Sequence, residues 1–242
     1  MNRTYGWRPD MPDHRDAIYS SVLHAGVLPP TADLRAGFPA CYDQGNLGSC
    51  TGNALAGAIA FENHRVGMPS RLFIYYGERS IEGTIGQDAG AQIRDGIKVL
   101  AKTGVCSEAE WPYVIAKFKT KPSAQCFADA LPNRIISYQR VVSLQDMKAA
   151  LASGSPVVFG FTVYESFESD AVAKTGMVQM PGKTERALGG HAVVGVGYND
   201  ASQRIIVRNS WGTAWGMHGY FTLPYVYIQN RNLSDDFWTI RR

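Results

Sequence analysis

Asn209-Ser210-Trp211-Gly212-Thr213-Ala214-Trp215-Gly216-Met217-His218-Gly219-Tyr220 follows Arg204-Ile205-Ile206-Val207-Arg208, an apolar run that reads as a strand. An asparagine that ends a strand and opens a glycine-rich turn offers its side-chain amide to a neighbour. An imidazole is the partner such an amide suits, because its oxygen can accept from one ring nitrogen and fix the tautomer. Trp211, two residues on, is placed to cover that bond and keep water from it. Trp215 reads as packing. Upstream, Gly189-Gly190-His191-Ala192-Val193-Val194-Gly195 supplies the imidazole within a second strand-like run.

A nucleophile lies further upstream, in Gln44-Gly45-Asn46-Leu47-Gly48-Ser49-Cys50. Cys50 sits at the expected start of a helix, where unpaired N–H groups and the positive dipole end favour a thiolate. Cys–His pairs of this kind can hold a thiol pKa near ~4, against ~8.5 for a free cysteine. Gln44, six residues before Cys50, can join the Cys50 N–H in an oxyanion hole, a contribution of roughly 3 kcal/mol. Ser49 lies beside the nucleophile as a supporting residue. One nucleophile, one base, one orienting amide and one oxyanion donor point to a cysteine hydrolase.

These stretches resemble the papain-like cysteine peptidases, a family whose local signature with downstream His and Asn is a worked case in general accounts of cysteine motifs. His191 lies 141 residues and Asn209 159 residues after Cys50. The 209–220 stretch is similar to the family's Asn-Ser-Trp-Gly-x-x-Trp-Gly-x-x-Gly-Tyr segment at every fixed position. Residues 28–35 resemble the mature amino-terminal strand, and 104–113 the connection between lobes. The resemblance implies an α+β, two-lobed fold, with a helical left lobe, a β-barrel-like right lobe and the active site in the cleft between them. It implies protein or peptide substrates and a thioester acyl-enzyme. It implies neither a metal nor an organic cofactor. Gly90 either lines the non-primed cleft with its backbone, as the family implies, or is a simple turn glycine.

The departures are specific. Leu47 stands where the family usually has a cysteine, and Gln87-Asp88-Ala89-Gly90 replaces the partner motif. The left-lobe disulfide is therefore not expected. Thr51 replaces the usual aromatic after the nucleophile, and Gly190 the usual Asp or Asn before the base. The long inhibitory prodomain is missing, which resembles the bacterial branch. A catalytically silent peptide-binding relative, or another Cys–His acyl transferase or amidase, are the alternative readings.

The 242 residues suffice for one large domain or two packed lobes, and 45% apolar content allows a substantial core. A diffuse net charge of +3 gives no nucleic-acid footprint and no membrane-surface patch. No apolar run is long enough for membrane insertion. The amino-terminal stretch lacks an apolar h-region, so a cytoplasmic location, or export without a Sec signal, is expected. Cysteines 41, 50, 106 and 126 form no zinc pattern. Either Cys106 pairs with Cys126 or all four are reduced.

Residues 1–26 read as an extended strap, and 27–242 as the catalytic domain, with 41–133 mainly helical and 134–242 mainly β. Helices are expected over 50–64, 72–81 and 91–102, with Ile93, Ile97 and Leu100 on one face. Ser143 with Asp146 opens a further helix ending at Gly154. Strands are expected over 134–142, 156–163, 191–198 and 204–208, around Phe221 and over 237–240. Glu165, Glu168, Asp170 and Glu185 read as a solvated face, and Tyr75 and Tyr76 as helix packing. The remaining histidines, including His14, His24, His64 and His218, read as non-catalytic. The strap either wraps the body and buries Tyr5 and Trp7 for stability, or lies over the cleft and restrains activity.

Overall fold

The computed structural model describes residues 3–20, 27–63 and 67–242. The ends of the expected strap at 1–2 and 21–26, with His24, and residue 64 at the end of the first expected helix, lie outside the described residues.

Helix α1 (Cys50–Glu62) is buried at every position from Cys50 to Ala60. Its sequence, rich in Gly and Ala, has no polar face, so the helix is stable only when enclosed. Small residues let neighbours approach. A Cβ at Gly52 would sit 2.8 Å from the Arg71 carbonyl of α2 (Arg71–Ile81). At Gly96 of α3 (Ile93–Lys102) it would meet Leu55 Cδ1 at 2.2 Å. Ile93, Ile97 and Leu100 are all buried, as their spacing predicts. Ser70 caps α2 by accepting from the Phe73 N–H.

The second half forms one antiparallel sheet in the order β2 (Ser137–Arg140), β7 (Ser234–Arg241), β3 (Val157–Tyr164), β4 (Ala187–Asn199), β5 (Arg204–Arg208) and β6 (Tyr220–Pro224). Strand β1 (Thr31–Asp33) pairs with the end of β4. The sheet is open, which corrects the barrel-like expectation. Its edge strands β2 and β6 do not pair with each other. Instead Ile18 of the strap bridges Arg140 of β2, and Met177 bridges Thr222 of β6. Short bridges of this kind cover exposed edges without closing the sheet. Helix α5 (Leu144–Ala152) begins where Ser143 accepts from the Asp146 N–H at 3.0 Å, and the chain turns at Gly154 with φ +82°. Helices α4 (Ala124–Ala130), α6 (Asp170–Thr175) and α7 (Tyr225–Gln229) are too short to leave a periodic signal.

All four cysteines are free thiols, so the bridged reading of Cys106 and Cys126 gives way to the reduced one. Cys126 lies against Ser123 Oγ at 3.1 Å instead. Among the described residues no helix is long and apolar enough to cross a membrane.

Thr51, which replaces an aromatic, is buried and donates to Glu78 Oε2 at 2.7 Å. Glu78 lies wholly inside, and burial pushes its carboxyl up to about 8. The folded chain therefore keeps this proton in a range where the unfolded chain, titrating near 4.5, has lost it. The stabilising contribution is complete below pH 4.5 and is lost as pH rises through 8. Thermal midpoints measured between these values should decline in the wild type and decline less in Glu78→Gln. Parallel profiles would remove Glu78 as the cause.

Candidate active site

Cys50 begins α1, which packs against β4, and the N–H of Ala192, the residue after His191, is directed at its sulfur. Ser49 holds the position just before the helix, but its hydroxyl makes no capping bond; it pairs with Tyr113 Oη at 2.5 Å and accepts from Asn53 Nδ2 at 3.0 Å. His191, in the middle of β4, has Nε2 2.8 Å from Asn209 Oδ1. That oxygen also accepts from the Ser210 N–H at 2.8 Å. With the Asn209 oxygen as acceptor, Nε2 carries the proton in the neutral ring, leaving Nδ1 as the free base. Nδ1 is buried without a hydrogen-bond partner among the described residues. Trp211 stacks on the imidazole, with centroids 5.2 Å apart and planes inclined by 29°. Trp215 packs edge-on against Trp211 at 5.1 Å and takes no place at the reacting groups.

Gln44 is held from three directions. Its N–H donates to the Ser210 carbonyl at 2.9 Å, its Oε1 accepts from Ser210 Oγ at 2.6 Å, and its carbonyl accepts from Tyr113 Oη at 2.9 Å. Its Nε2 donates to Leu47 O at 2.9 Å and reaches Thr4 O at 3.4 Å. Ser210 thus links Gln44 to Asn209. It stands in the quoted 209–220 stretch, but nothing in its spacing shows that its hydroxyl turns toward Gln44. Tyr113 likewise lies in the recognised lobe connection without a signal of this contact.

The loop that replaces the missing disulfide partner performs a tie of its own. Asp88 accepts from the Gly48 N–H at 3.1 and 3.0 Å and from Tyr75 Oη at 2.5 Å. Tyr75 Oη in turn accepts from the Gly90 N–H at 3.2 Å. Tyr75 is therefore more than helix packing. Gly90 has φ +68°, and a Cβ there would lie 2.1 Å from the Gly6 carbonyl oxygen.

That oxygen belongs to the strap, whose residues 3–8 lie in the cleft. The Ala91 N–H donates to Gly6 O at 2.7 Å, the Trp7 N–H to Gly190 O at 2.9 Å, and the Arg8 N–H to Ala91 O at 3.0 Å. Gly190, open where the family has a side chain, leaves room for Trp7: a Cβ would meet the Trp7 carbonyl oxygen at 2.4 Å. Tyr5 sits edge-on to His191 at 6.1 Å, and the Arg3 guanidinium lies 4.5 Å above the Trp211 ring. Tyr5 Oη donates to Glu168, which stays exposed on the solvated face expected for it.

The closed cleft sets the charge state. Burial pushes the Cys50 thiol up to about 11, although N–H groups of Ala192, Gly6 and Thr51 aimed at the sulfur work the other way. Burial pulls His191 down to about 4, against the Asn209 bond that favours the imidazolium. In this closed state both groups are neutral at pH 7, opposite to the ion pair that the helix start alone would favour.

The model of the papain family cysteine proteases matches residues 28–234. The chain belongs to this family. It is a papain-like cysteine peptidase. It is similar to xylellain, a cysteine protease from Xylella fastidiosa, at 47% identity and a TM-score of 0.90, covering 100% of this chain and 98% of that one. A peptidase C1-like protein of Acanthamoeba polyphaga mimivirus is 43% identical, covering 100% of this chain and 88% of the relative. Digestive procathepsin L 3 of Tenebrio molitor shares the fold at a TM-score of 0.75 and 19% identity, covering 100% of this chain and 76% of that one. Among the described residues no group of three His, Cys, Asp or Glu side chains is placed to hold a metal.

The buried, neutral Cys50 should resist alkylation in the intact peptidase. At pH 7 iodoacetamide should label it at least about a hundredfold more slowly than the same thiol in the unfolded chain. Labelling at the unfolded rate would show that the cleft is open in solution.

Proposed function

We propose that this peptidase is a cysteine endopeptidase in which Cys50, His191, Asn209 and Gln44 perform the chemistry, and that its own residues 3–8 hold it latent. The observation that supports both parts is the way the strap meets the reacting groups. Cys50 Sγ faces the Gly6 N–H, while the carbonyl reaching Gln44 belongs to Thr4. Hydrolysis needs one peptide unit to offer its carbonyl carbon to the sulfur and its oxygen to Gln44. The strap instead turns an N–H to the sulfur and brings Gln44 the oxygen of a different peptide unit, so it fills the site without presenting a bond to cut.

Once the strap leaves, water reaches the sulfur and the imidazole, and the burial that keeps both neutral is relieved. The helix start and the N–H groups aimed at the sulfur then favour the thiolate, and the Asn209 bond favours the imidazolium. The thiolate attacks a substrate carbonyl. Gln44 Nε2 and the Cys50 N–H receive the oxyanion, and His191 protonates the leaving amine. Water then hydrolyses the thioester with His191 as base. The silent-binder alternative rests on Thr51 and Gly190. Thr51 is occupied by Glu78 within the core, and Gly190 makes room for a side chain, so neither departure removes a reacting group.

Gly6→Ala tests latency in the full chain, because a Cβ at position 6 would lie 1.8 Å from Gly48 O and could only be relieved by undocking. Turnover of an unfolded protein should rise about tenfold or more over the wild type, in line with a larger open fraction. An epoxide inhibitor of papain-like enzymes should add once, on Cys50, and the adduct should vanish in His191→Ala. Gly6→Ala that labels freely but cuts no protein would favour the silent binder. Peptidoglycan cleavage in its place would favour the amidase.

A further inference from the structure

A groove of about 840 Å³ opens in the helical lobe, between α2, α3, α4 and β2. Its volume lies in the range of small-molecule sites. No residue of the strap or of the reacting set lines it. The inner wall is aromatic, made by Phe73 and Tyr76 of α2, Phe127 of α4 and Tyr138 of β2. Ile81, the last residue of α2, extends that wall and is 50% exposed. A wall of rings continued by a half-exposed isoleucine is contiguous apolar surface that folding leaves open, and such surface marks binding sites. The rim has a different character. Lys98 and Lys102 of α3 and Lys121 ahead of α4 stand on it, and no carboxylate lines the groove. Lys98 is engaged by Asp95 at 2.9 Å. Lys102 and Lys121 form no ion pair among the described residues. Two ammonium groups therefore stand uncompensated above an apolar wall.

The guest that matches this surface is an anion with an apolar body, and the shape of the wall selects the kind of body. The rings form no parallel-faced slot. Phe73 and Phe127 meet at 5.0 Å with planes inclined by 55°, and Tyr138 lies edge-on to Trp238 at 6.0 Å. A flat ring would gain one face at most, whereas a flexible chain can follow the uneven wall. Besides the lysines, the side chains of the lining offer only hydroxyls, from Tyr76, Ser80, Thr103 and Tyr138. No amide or carboxylate is present to read a polar body. We propose that this groove binds a free long-chain carboxylate, with its tail along Phe73, Phe127 and Ile81 and its head at Lys102 and Lys121. Apolar burial sets the affinity, at about fourfold for each methylene fully removed from water. The ammonium groups select the sign of the head and make binding sensitive to salt. The proposal does not depend on the endopeptidase or latency readings, since the groove lies outside the cleft residues.

Isothermal titration of the full chain with sodium decanoate, kept below its micelle concentration, decides it. Decanoate should saturate one site, bind about tenfold more tightly than octanoate, and weaken as salt is added. Lys102→Gln/Lys121→Gln should lower its affinity about fivefold and flatten the salt dependence. Both lysines are exposed, so this variant keeps the fold. Ser80→Trp, also at an exposed position, should fill the groove and lower the affinity about tenfold or more. Decyltrimethylammonium, with the same tail and the opposite charge, should bind more weakly than decanoate, as should 2-naphthoate, with the same charge and a flat body. Absence of saturable decanoate binding to the wild type would overturn the proposal. Binding unchanged in both variants would place the fatty acid elsewhere and overturn the groove. Equal binding of the ammonium would overturn the role of the lysines, and tighter binding of naphthoate would overturn the alkyl tail.

Discussion

The closeness of α1 to the strands beside it is the constraint on which the rest of the site depends. Cys50 meets the β4 groups around His191 only because Gly and Ala at the helix surface let the two elements touch. At Gly57 the Arg208 Nε lies 3.2 Å from where a Cβ would be. Arg208 uses this passage to reach the carbonyls of Pro39 and Ala40 at 2.7 and 2.8 Å. It thereby fixes the segment leading to Gln44. The next residue in the chain is Asn209. One close approach therefore sets the nucleophile, the orienting amide and the approach to the oxyanion donor together. A larger residue at Gly57 would press on Arg208 before it touched any reacting group.

On the proposed reading, burial is what keeps Cys50 and His191 from acting in the closed state. The N-terminus of α1 and the N–H groups near the sulfur favour a thiolate, and Asn209 favours an imidazolium. In water these influences would prevail. Beneath the strap, desolvation of two charges outweighs them, so thiol and imidazole stay neutral. On the proposed latent reading the strap acts twice: it blocks the cleft sterically and it removes the charge separation that would make the sulfur nucleophilic.

Much of this was legible in the sequence. The 209–220 stretch, the Gln44–Cys50 spacing and the small-residue run of α1 carry strong local constraints, and the structure joins His191 to Asn209 and Gln44 to Ser210. Helices α2, α3 and α5 lie within a residue or two of their periodic or capping signals. What escaped has physical reasons. Residues 3–8 pair with the body through backbone groups and so leave no periodic pattern. The register shift between Val158 and Gly160 depends on the pairing of β3 with β7, which are far apart in sequence. The sheet stays open because the strap and Met177 cover its edges, a property of no single strand. Tyr113 and Ser210 act through orientation, which residue spacing does not encode.

The strap and a substrate would compete for the same backbone groups, and the strap holds an advantage unrelated to its fit. Its next stretch is fastened to the body: Asp10 accepts from the Arg94 N–H at 3.1 Å and from Trp238 Nε1 at 2.9 Å, and Asp16 pairs with Arg94. Residues 3–8 are tethered only a few residues from those anchors. Their local concentration therefore stands in the millimolar range of short tethers. A free peptide with the same contacts would have to exceed that concentration to displace them. The proposed latency needs no tight strap, only a tethered one. The floor beneath it stays assembled when it leaves, because Asp88 binds Gly48 and Tyr75, both of the body.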